Sequence, residues 1–336
     1  MAKAQKTIKE NDTLYVDGNR LVNSNGVDIW LQGLALPGLE WRNGGVKIRE
    51  TLTAALNDWH ANCIRLPVRE DFWFGRDDTT AEDGGASYRE LVDELVETTA
   101  NAGAYLALDL HRFKAPTQAH AEFWIDAAAR YSNHPAVIFD LFNEAHSISW
   151  EVWRDGGKID AEEKKGVVAE NEFAREQIET IGHQALVDAV RETGAKNIVI
   201  AGGLDWAYDL TGNAAGYTVD DAGGNGVMYA SHIYPWKSDW AGNVLCMADK
   251  APIFIGEVGC ELVPLPFEKP EDYKDPYLWA PEIIAFIQAN RLHWTAWSFH
   301  PRATPRVIGD WDFTPTPFWG AFVRSALRGY TFISST

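Results

Sequence analysis

Two stretches of this chain run through apolar residues and end in a glutamate: AVIFDLFNEAH at 136–146 and PIFIGEVG at 252–259. A pair of carboxylates on either side of one bond is what glycoside hydrolysis requires. One protonates the leaving oxygen, and the other attacks the anomeric carbon or activates water. If Glu144 and Glu257 face each other about 5–5.5 Å apart, the reaction passes through a covalent intermediate and retains configuration. Six further residues stand at the ends of similar runs: Arg65, His111, Asn143, His232, Tyr234 and Trp297. A guanidinium beside a carboxylate keeps it ionised, which suits Arg65. His232 and Tyr234 are two apart on one strand, so they share a side and can orient the carboxylates by hydrogen bonds. Trp297 offers an indole floor for a sugar ring. Each also has a plainer reading: Arg65 as an ion pair inside the fold, His111 as a satisfied core histidine, Tyr234 as a packed aromatic. The recurrence of polar residues at the same strand-end position favours a shared site.

The elements that must position these residues alternate between strand-like and helix-like patterns. Strands are expected at 29–36, 62–68, 105–111, 137–144, 197–202, 227–234, 252–257 and 293–299. Helices are expected near 46–59, 88–102, 117–131, 171–192, 240–249, 281–289 and 317–327, with short helical material after Leu204. The strand runs are apolar throughout, as in parallel sheets covered on both faces. Gly194 is placed to terminate the long helix of 171–192, whose stripe is Ile178, Ile181, Ala185 and Ala189. Eight strand–helix units without a break in composition predict one closed (β/α)8 barrel spanning 1–336 as a single domain. A doubly wound open sheet is the alternative, but no GxGxxG follows the first strand. Residues 13–28 carry two turn signals, Asp17-Gly18 and Asn25-Gly26, and read as an N-terminal hairpin plugging one end of the fold. The long segments 146–170, 203–226, 259–280 and 300–316 all follow strands and would gather on the catalytic face.

Composition narrows the partners. Asp and Glu number 48 against 30 Lys and Arg, a formal charge of −18, which opposes nucleic acid or an anionic membrane as partner. The 15 tryptophans are more than a core needs and suit the flat C–H face of a sugar. Trp41, Trp73, Trp150, Trp153, Trp236 and Trp311 fall on strand-end loops; about half are expected to pack loops onto the barrel and the rest to line a cleft. Trp236 is the first choice among them. Glu261 and Asp310 are additional acidic candidates for hydroxyl contacts, and His146 is close enough in sequence to touch Glu144. Cys63, Cys246 and Cys260 are too few and scattered for a disulfide framework or a metal cluster, and read as free thiols. The first residues lack the apolar core of a signal peptide and no stretch approaches a membrane span. Neither a cofactor nor a metal is implied.

With these residues assembled, the chain resembles glycoside hydrolase family 5, the cellulase-type retaining glycosidases on a (β/α)8 barrel. The resemblance runs from the LYVDGNRLVNSNG hairpin to the Trp297 strand, and all eight residues shared by that family have a counterpart here. It implies Glu144, in FNEA, as general acid/base and Glu257, in FIGEVG, as nucleophile. Asn143 would bind the sugar 2-hydroxyl, Arg65 and Tyr234 would support the nucleophile, His111 and His232 would bind and orient, and Trp297 would be the platform at the cleavage point. Family members commonly carry Pro after the acid/base; Ala145 stands there. The implied activity is an endo-β-1,4-glucanase acting on a polysaccharide or oligosaccharide, and an insoluble substrate makes export sensible. Mixed-linkage glucan, mannan and xyloglucan are the alternatives on the same machinery. A more distant one is a metal-dependent barrel hydrolase using His111, His232 and His300, although the first strand lacks the usual HxH pair. A non-catalytic sugar-binding barrel is disfavoured by the presence of both carboxylates.

Overall fold

The computed structural model describes residues 7–40, 45–160, 177–265 and 268–334. Eight parallel strands close a barrel: β1 (Gln32–Ala35), β2 (Cys63–Val68), β3 (Tyr105–Leu110), β4 (Val137–Asp140), β5 (Val199–Gly202), β6 (Val227–Ile233), β7 (Ile253–Val258) and β8 (His293–Ala296). Each pairs with its neighbours in chain order, and β8 pairs with β1 to close the ring. Nearly every strand residue is buried, because one face fills the barrel and the other meets the surrounding helices. That explains the uninterrupted apolar runs in the sequence.

The hairpin forms as expected. Leu14–Asp17 and Arg20–Asn23 pair antiparallel around Gly18, whose φ of 64° suits a tight turn. Its Leu14 and Leu21, with Leu31, pack on Ile138, Ile198, Ile200, Met228 and Phe254 inside the barrel. It therefore seals the N-terminal end, leaving the opposite end, where the strands' polar residues gather, open for chemistry.

Most elements are shorter than in the sequence reading, as with Gln32–Ala35 for 29–36 and Trp240–Asn243 for the helix near 240–249, and three differences bear on the site or the helices around it. Strand β4 ends at Asp140 rather than Glu144; Glu144–Ala145 instead pairs with Phe113–Lys114 in a two-stranded ladder above the barrel. The helix expected over 171–192 begins at Gly182. Gln177–Thr180 is a strand paired with Gly157–Asp160, so Ile178 is not on a helical stripe, and residues 171–176 lie outside the described range. Gly194 does follow the helix in the left-handed region, at φ 84°. The helix expected from Pro281 starts five residues earlier, at Pro276, capped by Asp275, whose Oδ1 accepts from the Tyr277 amide at 2.9 Å. Two prolines compete for the first-turn position, and the one following a capping Asp takes it. Cys63 and Cys260 are buried and Cys246 half-buried, all three free.

Candidate active site

The base of the site is Arg65 on β2, fully buried. Its Nε donates to Asp140 Oδ2 at 2.8 Å, Nη1 to Glu257 Oε1 at 2.8 Å and Nη2 to Asn143 Oδ1 at 2.8 Å. Nη2 also lies 3.1 Å from Asp109 Oδ1. The planar fork of arginine reaches all four partners; a lysine has one nitrogen and could not. Burial opposes the guanidinium's charge, but Asp109, Asp140 and Glu257 outweigh it and hold the proton on. Arg65 thus forms an ion pair inside the barrel and contacts Glu257 at once.

Asp109 and Asp140 were not anticipated. Both interrupt apolar runs, in LALDLH and VIFDLF, and an acid inside a doubly covered strand must be paired. That was the available signal. Burial pushes each carboxyl up to about 7, against the pull of Arg65. Asp109 turns its other oxygen to His111 Nδ1 at 2.7 Å. His111 is held neutral, its pKa lowered to about 4 by burial, and its ring lies parallel to that of Trp297 with centroids 5.8 Å apart.

Glu257 is the penultimate residue of β7 and is aimed by a register shift. Across β6 and β7, Ser231 pairs with Ile255 but the next pair is His232 with Glu257, skipping Gly256. A side chain at Gly256 would bring its Cβ to 2.8 Å from His232 Nε2, so this bulge requires glycine. Tyr234 OH donates to Glu257 Oε2 at 2.5 Å. Glu257 is therefore gripped on one oxygen by Arg65 and on the other by Tyr234. Burial first, then the charge of Glu257, raises the Tyr234 phenol's pKa and keeps it a donor.

Glu144 faces it. Its Oε1 is 3.0 Å from His232 Nδ1, which is also 3.8 Å from Glu257 Oε2. Oxygens of Glu144 and Glu257 come within 4.8 Å of each other. Burial first, and the Glu257 charge second, push the Glu144 carboxyl well above the ordinary range, so it holds a proton. His232 is kept neutral by burial, with Arg65 adding to the effect. Asn143 is buried with its Oδ1 taken by Arg65, and its Nδ2 has no acceptor among the described residues. It stands at the cavity as a donor ready for a ligand hydroxyl.

These residues open into a cavity of about 590 Å³ whose walls include Phe113, Trp206, Trp236, Lys237, Leu265 and Trp297. Among the loop tryptophans expected to line a cleft, Trp236 does so, stacked on Tyr234 at 4.8 Å. Trp73 and Trp153 are fully buried, Trp150 packs on Trp153 and Tyr217, and Trp311 sits against His300; Trp41 lies outside the described residues. Trp206 was missed. Nothing in GGLDWAYD marks it, because its placement depends on three successive non-glycine residues, Asp205, Trp206 and Ala207, at φ 54°, 62° and 58°. Left-handed backbone costs roughly 1–2 kcal/mol per such residue, and strain of this kind clusters at functional sites. His146 does reach the site region, stacked under Trp206 at 3.6 Å. Glu261 and Asp310 do not line the cavity. The former is paired with Arg306 at 2.9 Å, and the latter accepts from the Asp312 and Thr314 amides.

His111, His232 and His300 are not gathered as a metal site. Among the described residues, the one set of three close enough to share an ion is Glu144, His232 and Glu257, and His300 Nδ1 accepts instead from the Arg302 and Ala303 amides.

Several known proteins resemble this chain. Endoglucanase C of Evansella cellulosilytica is 26% identical over 352 residues, covering 89% of this chain; the chain spans only 38% of that relative's length. Cellulase CelDZ1 of a Thermoanaerobacterium species is 25% identical, over 94% of this chain and 80% of its own. The fold matches a crystallised β-glucanase of Saccharophagus degradans, in complex with cellotetraose, with a TM-score of 0.71 at 22% identity, over 98% and 97% of the two chains. The family model for cellulase (glycosyl hydrolase family 5) matches residues 22–303, and the chain belongs to that family of glycoside hydrolases.

Proposed function

We propose that this glycoside hydrolase is an endo-β-1,4-glucanase that cleaves β-linked glucan by double displacement. The observation that carries the reading is the approach of Glu144 and Glu257 to within 4.8 Å at the floor of an indole-lined cavity. So short an approach fits the roughly 5–5.5 Å at which one carboxylate attacks the sugar itself, and falls short of the roughly 6.5–9.5 Å that accommodates substrate and an attacking water together. Glu257, held by Arg65 on one oxygen and Tyr234 on the other, attacks the anomeric carbon while Glu144 gives its proton to the departing oxygen. Once Glu257 is esterified its charge is gone, so the pKa of Glu144 falls and it takes a proton from the water that releases the sugar. Asn143 Nδ2 binds a hydroxyl beside the reacting carbon. Trp297, Trp236 and Trp206 supply faces for rings along the cleft. An extended polymer is the substrate, and secretion follows from that; no described helix is long and apolar enough to cross a membrane.

The names of the relatives support glucan over mannan, while the β-glucanase among the structural neighbours keeps mixed-linkage glucan as the second reading. Purified protein is incubated with carboxymethyl cellulose, barley glucan, xyloglucan and mannan, and viscosity and reducing ends are followed together. The expected result is a fast fall in the viscosity of carboxymethyl cellulose with few reducing ends, and none on mannan. Cleavage of barley glucan alone selects the second reading, and no cleavage of any glucan ends both.

A further inference from the structure

The left-handed turn that carries Trp206 is held by one side chain from the neighbouring loop. Lys237 Nζ donates to the Asp205 carbonyl at 2.9 Å and to Asp205 Oδ2 at 2.6 Å. Its ammonium also sits 5.1 Å from the centre of the Tyr208 ring. Lys237 is itself fixed at both backbone ends. Its amide donates to the Tyr234 carbonyl at 2.9 Å and its carbonyl accepts from Trp240 Nε1 at 2.9 Å. The side chain is only 11% exposed, whereas its partner carboxylate is 58% exposed. An ion pair so exposed on one side contributes little by charge alone; what distinguishes this one is the second bond, to the main chain at the first of the three left-handed residues.

Trp206 has one face stacked on His146, two residues beyond Glu144, with rings 9° from parallel, and it remains 44% exposed where it lines the cavity. It therefore stands on the side of the general acid, where the departing sugar must lie.

On the glucanase reading above, we propose that Lys237 is a positioning residue: by clasping Asp205 it holds the strained turn so that Trp206 presents its open face to the leaving-group side of the glucan. Lys237 would set how strongly the enzyme grips the departing chain. Strained backbone persists only where surrounding contacts over-determine it. The β5 and β6 loops are also joined by Tyr208 OH to the Ser238 carbonyl and by the Leu210 amide to the Asn243 carbonyl; the Lys237 clasp acts at Asp205, the first residue of the strained turn itself.

The test compares Lys237→Met, Lys237→Arg and Asp205→Ala on two probes: cellopentaose, whose cleavage fills leaving-side positions with sugar, and 2,4-dinitrophenyl β-cellobioside, whose leaving group is not a sugar. Lys237→Met should lower kcat/KM on cellopentaose about tenfold, chiefly through KM, with a far smaller loss on the aryl glycoside. Asp205→Ala should act in the same direction, and Lys237→Arg should recover part of the loss. Equal losses on both probes, or none on either, overturn the proposal. A readout independent of activity uses protein labelled with 5-fluorotryptophan, the Trp206 resonance being assigned by its absence in Trp206→Phe. It should be single in the parent and broadened or split in Lys237→Met; an unchanged resonance overturns the clasp. A parent enzyme that cleaves neither probe defeats the glucanase reading, and the fluorine spectrum then decides the clasp alone.

Discussion

Asp109 and Asp140 are direct partners in the register of β3 and β4, two buried acids side by side with Arg65 as their shared counter-charge. Removing that cation strands the carboxylates of Asp109, Asp140 and Glu257 in a dry barrel. Breaking a buried pair in this way costs on the order of 3–5 kcal/mol, so Arg65→Met should lose about that much stability at pH 7 by urea denaturation. The sign of its pH dependence follows from the acids. Raised to about 7 already in the parent, they rise further without Arg65, so the folded variant holds more protons than the folded parent at and above about pH 7. The deficit should shrink as pH falls from about 9 to about 6 and then level off, and a deficit that grows on acidification would refute this account.

The roles of the two glutamates are separable by the anomer that azide forms. In Glu257→Gly, azide enters the space of the lost carboxylate and attacks an activated aryl cellobioside from that face, giving the α-glycosyl azide. In Glu144→Ala the covalent intermediate still forms, and azide then gives the β-glycosyl azide. Without azide, Glu257→Gly should fall roughly 10⁵-fold. Proton NMR of the products checks the assignment, and the opposite pair of anomers would exchange the two roles.

Much of this was legible because a barrel converts strand order into position. Glu144 and Glu257 lie far apart in sequence, yet each follows a doubly buried strand, and the fold delivers both to one rim. His111, His232, Tyr234 and Trp297 follow from the same rule, whereas Arg65, third in β2, stands out as a charge within an apolar run. Asp109 and Asp140 are the penultimate residue of β3 and the last of β4, but reading those strands on to His111 and Glu144 makes each acid look internal, visible only as an interruption in an apolar run. Trp206 and Lys237 are placed by loop backbone, and three consecutive left-handed residues without a glycine leave no trace in composition. The helix over 171–192 was overcalled because isoleucines at 178 and 181 fit a helical stripe, while pairing with Gly157–Asp160 is a long-range fact that spacing cannot carry.

The raised pKa of Glu144 has a second cause after burial, the charge of Glu257. Neutralising that charge in Glu257→Gln mimics the esterified intermediate and should move the titration of Glu144 to lower pH. Carbon-13 NMR of protein labelled at the glutamate carboxyls reads it directly, with Glu144→Gln assigning the resonance. A Glu144 that titrates at the same or higher pH in Glu257→Gln would mean that the switch from acid to base has another origin.

Away from the site, two buried histidines should set the acid limit of the fold. His183 Nδ1 lies 2.9 Å from the Trp153 carbonyl, and His293 Nδ1 accepts from the Leu31 amide at 3.1 Å. Burial lowers both to about 4, whereas in the unfolded chain a histidine protonates near 6.5. Between those values the unfolded state binds more protons, so stability falls as pH is lowered. The contribution is complete above about 6.5 and lost on the way to 4, at most about 3 kcal/mol per histidine. Asparagine in place of either can keep the hydrogen bond at the Nδ1 position but does not titrate. His183→Asn and His293→Asn should each be less stable than the parent at pH 7, where the smaller side chain leaves a void, yet lose less between pH 7 and 4.5. Urea midpoints at those two pH values decide it: parallel losses in parent and variants would place the acid sensitivity in other groups.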